Sequence, residues 1–211
     1  VIRAVLWDYG GVLTTSPFVA FARYEAEHGL EPGFLRRLNA TNPDTNAWAA
    51  FERAEIDFAE FARRFEAEAA AAGAVVDGGE VLGLLAGELR PEMVEALRRC
   101  HGQLLNAIVT NNVALPDPAG RAPAGLPGLA RLAGLLDAVI ESSRLGSRKP
   151  EVDFYRAACA TLGIAPSEAV LLDDLGVNLA PARALGMTTI KVVEVDAALD
   201  QLEAVVGFPL R

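Results

Sequence analysis

From Leu104 to Val193 the chain alternates short, predominantly apolar runs with helical stretches, and this rhythm constrains its fold more than any other feature. The runs are LLNAIV (Leu104 to Val109), AVI (Ala138 to Ile140), AVLL (Ala169 to Leu172) and TTIKVV (Thr188 to Val193); AVLW (Ala4 to Trp7) has the same character near the start. A strand with water on one face alternates apolar and polar residues, whereas continuous apolar runs are buried on both faces, as in a parallel sheet. Helices expected near Gly128 to Leu136, Val152 to Leu162 and Leu179 to Leu185 supply right-handed crossovers. The class is α/β, with a Rossmann-like parallel sheet flanked by helices.

The first strand is separated from the others by a long helical block. Ser16-Pro17 reads as an N-cap with proline at the first helical position, opening a helix that runs to about His28 and stops at Gly29. Asp57-x-x-Glu60 resembles a capping box, followed by an apolar face of Phe58, Phe61, Ala62, Phe65 and Ala69 as far as Gly73. Further helices are expected over Glu80 to Leu89 and from Pro91 to near Gly102, with no strand between Thr14 and Gln103. Residues 1–15 and 91–211 are therefore expected to form the α/β unit, and residues 16–90 an all-helical insertion placed as a lid over the strand tips. The Pro/Gly-rich piece LPDPAGRAPAGLPG (Leu115 to Gly128) follows the second strand and is expected to border the same crevice.

The 211 residues, 52% of them apolar, suffice to bury a full core. The formal charge of −9 argues against nucleic-acid binding and against attachment to an anionic membrane, both of which need clustered Lys and Arg. An anionic substrate would need a local positive site. Cys100 and Cys159 show no CxxC or Cys/His spacing, which favours a reducing, cytoplasmic setting over a disulfide framework or zinc site. No apolar stretch approaches eighteen residues, so neither secretion nor membrane insertion is expected.

Four groups fall at corresponding ends of core elements: Asp8 after the first strand, Thr110-Asn111-Asn112 after the second, Lys149 before a helix, and Asp173-Asp174 after AVLL. Strand tips are where open α/β sheets place their chemistry. Gly10 and Gly11 let the chain turn tightly beside Asp8. Singly, each group has an ordinary reading, as a turn or cap for the carboxylates and a solvated side chain for the lysine. Together, carboxylates, a hydroxyl, backbone amides and one ammonium suit Mg²⁺ and a phosphoryl group, since Mg²⁺ takes hard oxygen ligands and substrate phosphate. Thr110, the Asn111 amide and Lys149 are placed to hold the remaining phosphate oxygens.

With these spacings the chain resembles the haloacid dehalogenase (HAD) superfamily of hydrolases over nearly its whole length. The segment IESSRLGSRKPEVDFYRAACATLGIAPSEAVLLDDLGVNLAPARALGMTTIKV (Ile140 to Val192) is similar to the N-terminal phosphatase domain of soluble epoxide hydrolases and its free-standing bacterial relatives. Epoxide opening itself is not implied. The resemblance implies that Asp8 is a nucleophile forming an aspartyl-phosphate. It implies that Thr110 and Asn111 hold phosphate, and that Lys149 neutralises nucleophile and phosphoryl charge. The implied metal set is Asp8, the Gly10 carbonyl and Asp174 around Mg²⁺, with Asp173 a ligand or its supporting partner and Asn178 further support. The helical insertion corresponds to the cap that selects a small phosphorylated substrate.

One position departs from the pattern. Phosphatases of this superfamily carry a second aspartate two residues after the nucleophile as acid and base, and here that position is Gly10. Losing a general acid/base typically lowers the rate by about 10²–10⁴-fold, least for leaving groups that depart as stable anions. Two alternatives follow: a catalytically silent protein binding a phosphorylated ligand or a protein partner, and a dehalogenase, which needs no second aspartate. The dehalogenase motif has tyrosine two residues on, whereas Tyr9 is one residue on and so falls on the opposite strand face. His28 and His101, near helix C-termini, read as structural. Trp7, Trp48 and the Phe58/Phe61/Phe65 stripe read as packing, and Arg144 and Arg148 as solvated loop residues.

Overall fold

The computed structural model describes residues 1–112, 115–116, 123–124, 126 and 128–211. Its sheet is built from β1 (Ala4–Trp7), β2 (Leu105–Thr110), β5 (Ala138–Glu141), β6 (Ala169–Asp173) and β7 (Thr188–Lys191); β3 (Leu115–Pro116) and β4 (Pro123–Ala124) form a separate antiparallel pair. The order is β5-β2-β1-β6-β7, and every pairing in the five-stranded sheet is parallel. The continuous apolar runs are explained by burial on both faces. Val5 and Trp7 point into one cluster with Met93, Leu97, Leu199 and Leu202, while Leu6 points into another with Phe154, Tyr155, Leu171 and Leu179. Trp7 satisfies its indole N–H on the buried Asn106 Oδ1 at 3.1 Å, which confirms its packing role.

Helices α1 (Pro17–Glu27), α2 (Phe34–Ala40), α3 (Ala47–Glu52), α4 (Phe58–Ala71) and α5 (Gly78–Gly83) follow β1, and α6 (Pro91–Cys100), α7 (Ser142–Leu145), α8 (Val152–Leu162), α9 (Gly176–Ala184) and α10 (Val195–Val206) belong to the α/β part. Ser16 caps α1 and Asp57 caps α4, each accepting a backbone N–H, as their sequence patterns indicate. The α4 face buries Phe61, Phe65 and Ala69 in a third cluster made wholly of inserted residues, joined by Trp48 at 5.4 Å from Phe61.

Two expected helices are shorter or broken. The Glu80 to Leu89 helix is only α5, because residues 87–90 are drawn out to pair with the end of the first strand's turn. Thr15 N–H donates to Glu88 O at 2.8 Å, Arg90 N–H to Leu13 O at 2.9 Å, and a Cβ on Gly87 would lie 2.7 Å from Thr15 O. The two ends of the insertion thus lie side by side. Gly128 to Leu136 is two short 3₁₀ turns, Leu129–Arg131 and Ala133–Leu135, preceded by Gly128 at φ +83°. α10 is a further helix beyond those expected from the sequence. The Pro/Gly-rich segment lies largely outside the described residues, and so does its expected place beside the crevice. Cys100 and Cys159 are free and buried. No helix among the described residues is long and apolar enough to cross a membrane.

Candidate active site

The strand register brings the first and fourth candidates level. Trp7 pairs with Leu172, and Asp8 N–H donates to Leu172 O at 3.0 Å, so Asp8 and Asp173 leave adjacent strands at the same height, where the strand order switches direction. Beyond Asp8 the chain makes one wide turn closed by Thr14 N–H on Tyr9 O at 2.9 Å. Gly11 stands at φ +80°, and a Cβ there would fall 2.4 Å from Asp174 Oδ2; Gly10 stands at φ −70° with nothing within 4 Å of a Cβ. The first glycine is therefore a vacant side-chain position, and the second is required by both backbone and neighbour.

Lys149 is almost wholly buried, with its Nζ 2.8 Å from Asp8 Oδ1 and 2.7 Å from Asp173 Oδ2. Asp173 is saturated. Its oxygens also accept from Leu175 N–H at 2.8 Å and from Asn178 Nδ2 at 3.0 and 3.1 Å. No side chain among the described residues donates to Asp174, whose carboxyl lies within 4.8 Å of those of Asp8 and Asp173. Burial, and then the charge of Asp173, push Asp174 up to about 6. Burial likewise lifts Asp8 well above the ordinary carboxylate range, against the pull of Lys149. Burial works against the charge of Lys149, but Asp173 and Asp8 together raise its pKa, so it stays protonated.

Three carboxylates thus face one ammonium, a surplus of negative charge that a divalent cation offsets. The donors are hard oxygens, Asp8 and Asp174 have coordination capacity to spare, and Gly11 lets Asp174 approach the Asp8 turn. The set fits Mg²⁺.

Thr110 lies buried at the C-terminal end of β2, on the strand beside β1. The Asn111 side chain is engaged elsewhere: its Nδ2 donates to Lys149 O and its Oδ1 accepts from Lys149 N–H, both at 2.8 Å. It therefore fixes the lysine's backbone. Arg144 is solvated, but Arg148 is not, which corrects its reading as a solvated loop residue. The Arg148 side chain is 15% exposed, with Nε 2.5 Å from the buried carboxylate of Glu52 in α3. Sequence reasoning missed Glu52, because only the docking of the insertion brings it to Arg148 and Asn111.

The parallel α/β sheet with three carboxylates and one lysine gathered at its strand tips is the setting for the comparison with known families. The profile described as haloacid dehalogenase-like hydrolase matches residues 2–186, and the chain belongs to that family. It is 32% identical over 99% of its length to acyl-CoA dehydrogenase family member 10 of Mus musculus, and 30% identical over 99% to bifunctional epoxide hydrolase 2 of Sus scrofa. It spans only 20% and 40% of those two proteins. With the sesquiterpene phosphatase astK of Aspergillus oryzae it shares 24% identity over 97% of both chains. The fold matches a HAD family enzyme from Bacteroides thetaiotaomicron, crystallised with magnesium and inorganic phosphate, at a TM-score of 0.59 and 18% identity over 90% of this chain and 94% of that one. It also matches L-2-haloacid dehalogenase from Xanthobacter autotrophicus, at a TM-score of 0.63 and 21% identity over 98% and 84%.

Proposed function

We propose that the protein is a Mg²⁺-dependent phosphatase of small phosphorylated metabolites, acting in the cytoplasm through an aspartyl-phosphate on Asp8. The observation that carries this reading is the Lys149 ammonium held between Asp8 and Asp173, with Asp174 beside them. Asp8 attacks phosphorus, the bond to the leaving oxygen breaks, and water then hydrolyses the acyl phosphate to release inorganic phosphate. Lys149 offsets charge on the nucleophile and on the phosphoryl oxygens, and Thr110 with the Asn111 backbone amide holds those oxygens. Mg²⁺, held by Asp8, Asp174 and the Gly10 carbonyl with Asp173 behind them, supplies further charge neutralisation when bound. Residues 16–90 act as the cap over residues 1–15 and 91–211.

Gly10 places no carboxyl near the leaving oxygen, so that oxygen takes its proton from solvent. The same observation favours a second reading, a silent protein that binds phosphorylated ligands. The test is hydrolysis of p-nitrophenyl phosphate, whose leaving group needs little protonation, by the natural protein beside Gly10→Asp and Asp8→Asn. Turnover that needs Mg²⁺ and vanishes in Asp8→Asn supports the phosphatase. Silence relieved by Gly10→Asp supports the binding protein, and metal-independent halide release from a haloacid would overturn both.

A further inference from the structure

The segment carrying Lys149 is gripped from two directions. From the core, Asn111 holds both the N–H and the carbonyl of Lys149. From the insertion, Glu52 Oε2 meets Arg148 Nε at 2.5 Å, and Arg148 Nη1 donates to Pro43 O at 2.8 Å. On the other flank, Arg53 donates to Glu151 Oε1 at 2.7 Å and to Asp44 O at 2.9 Å. The two grips share a member, because Asn111 Nδ2 also lies 3.2 Å from Glu52 Oε2.

Glu52 is anchored at its other oxygen. Trp48 Nε1 donates to Oε1 at 2.9 Å, and the Trp48 ring packs against Phe61 and Phe65 in the insertion's aromatic cluster. A carboxylate so buried is costly unless donors meet it. Its donors come from α3 itself and from the end of β2, and its counter-charge from Arg148 in the Lys149 segment, so the insertion seats fully only when Asn111 and Arg148 are in place. The converse holds by linkage.

We infer that Glu52 is a positioning residue, which on seating fixes Asn111 and Arg148 and thereby holds the Lys149 ammonium between Asp8 and Asp173. The insertion then completes the site as well as covering it. The catalytic consequence rests on the reading of Lys149 as the charge-neutralising group of a phosphatase; the positional consequence does not.

The sequence offers an activity-independent test, because it contains only two lysines, buried Lys149 and exposed Lys191. Competitive acetylation with acetic anhydride, read by mass spectrometry, reports Lys149 reactivity against Lys191 as an internal standard. Glu52→Ala is expected to raise that ratio about tenfold, within the range of coupling changes carried through packed networks. It should lower kcat for p-nitrophenyl phosphate by about 10- to 100-fold, as expected of an ångström-scale misplacement, with little change in KM. Glu52→Gln, which keeps the shape and loses the charge toward Arg148, should fall between, and adding Arg148→Ala to Glu52→Ala should be non-additive.

An unchanged ratio in both Glu52 variants would overturn the inference, whether or not their melting temperatures fall. A raised KM with unchanged kcat and ratio would make Glu52 a substrate contact instead. Should Glu52→Ala not fold, Glu52→Gln carries the comparison. Should the natural protein not turn over p-nitrophenyl phosphate, the phosphatase reading fails by itself and the acetylation ratio still decides the position.

Discussion

The inserted helices and the strand tips both bury carboxyl groups, but they meet them differently. In the insertion, Glu25 accepts from Gly33 N–H at 2.7 Å and Leu35 N–H at 2.9 Å, one donor to each oxygen, and so ties α1 to the start of α2. Asn46 is similarly closed, accepting from Ala49 N–H and donating to the carbonyls of Asn39 and Thr41. At the strand tips Asp8 and Asp173 share one ammonium, Asp174 beside them has no side-chain donor among the described residues, and both Asp8 and Asp174 are pushed upward. Buried polarity matched by its own donors builds a fold, whereas unmatched charge of one sign is held ready for a ligand of the other.

Five measurements break or sharpen this contrast. Asp8→Asn leaves the ammonium and the fold in place while removing the proposed nucleophile, and initial rates on p-nitrophenyl phosphate should fall by at least about 10⁴-fold. Retained turnover would remove chemistry from the strand tips altogether. Lys149→Ala strips from Asp8 and Asp173 the only cation paired with them among the described residues, and should lower stability by about 3–5 kcal/mol in thermal melts without metal. Mg²⁺ should recover part of that loss, because it replaces the missing positive charge.

The neighbouring glycines give the next effect. Gly11→Ala, at positive φ and against Asp174, should destabilise by about 1–3 kcal/mol, while Gly10→Ala should stay within about 0.5 kcal/mol by chemical denaturation. Equal effects would mean that the turn does not press on Asp174.

The fourth measurement is pH dependence. Asp174 holds its proton up to about 6 in the folded protein and releases it near 4 when unfolded. In that window the native state binds more protons, so stability falls as pH rises through it, and metal-free melts should drop by a few degrees. Bound Mg²⁺ should stabilise more at pH 7 than at pH 5, because it competes with that proton. Smallest is Arg53→Ala: its ion pair with Glu151 is partly exposed and should contribute about 1 kcal/mol or less to the melt. A larger loss would give the insertion's edge an energetic weight that Glu52 is expected to carry.

Much of this molecule was legible in advance because its signals are local. Continuous apolar runs marked strands buried on both faces, and Ser16-Pro17 and Asp57 marked helix starts through donors a few residues away. Asp8, Lys149, Asp173 and Asp174 could be singled out because each follows or precedes a core element, and parallel register brings such ends together. The end of α5 was not legible, because it is set by pairing with Thr14 and Thr15, more than seventy residues earlier. Nor was the use of the Asn111 side chain as a clamp on the Lys149 backbone.

The sequence by itself determined the α/β class, the long helical insertion and the carboxylates that meet at the strand tips, since those depend on periodicity and element ends. Only the tertiary structure decided that Arg148 is paired, largely out of solvent, with Glu52, that Asp173 is saturated while Asp174 is not, and that Gly10 faces open space and Gly11 does not. These depend on which surfaces dock and which donors they bring, and docking joins residues with no regular spacing along the chain.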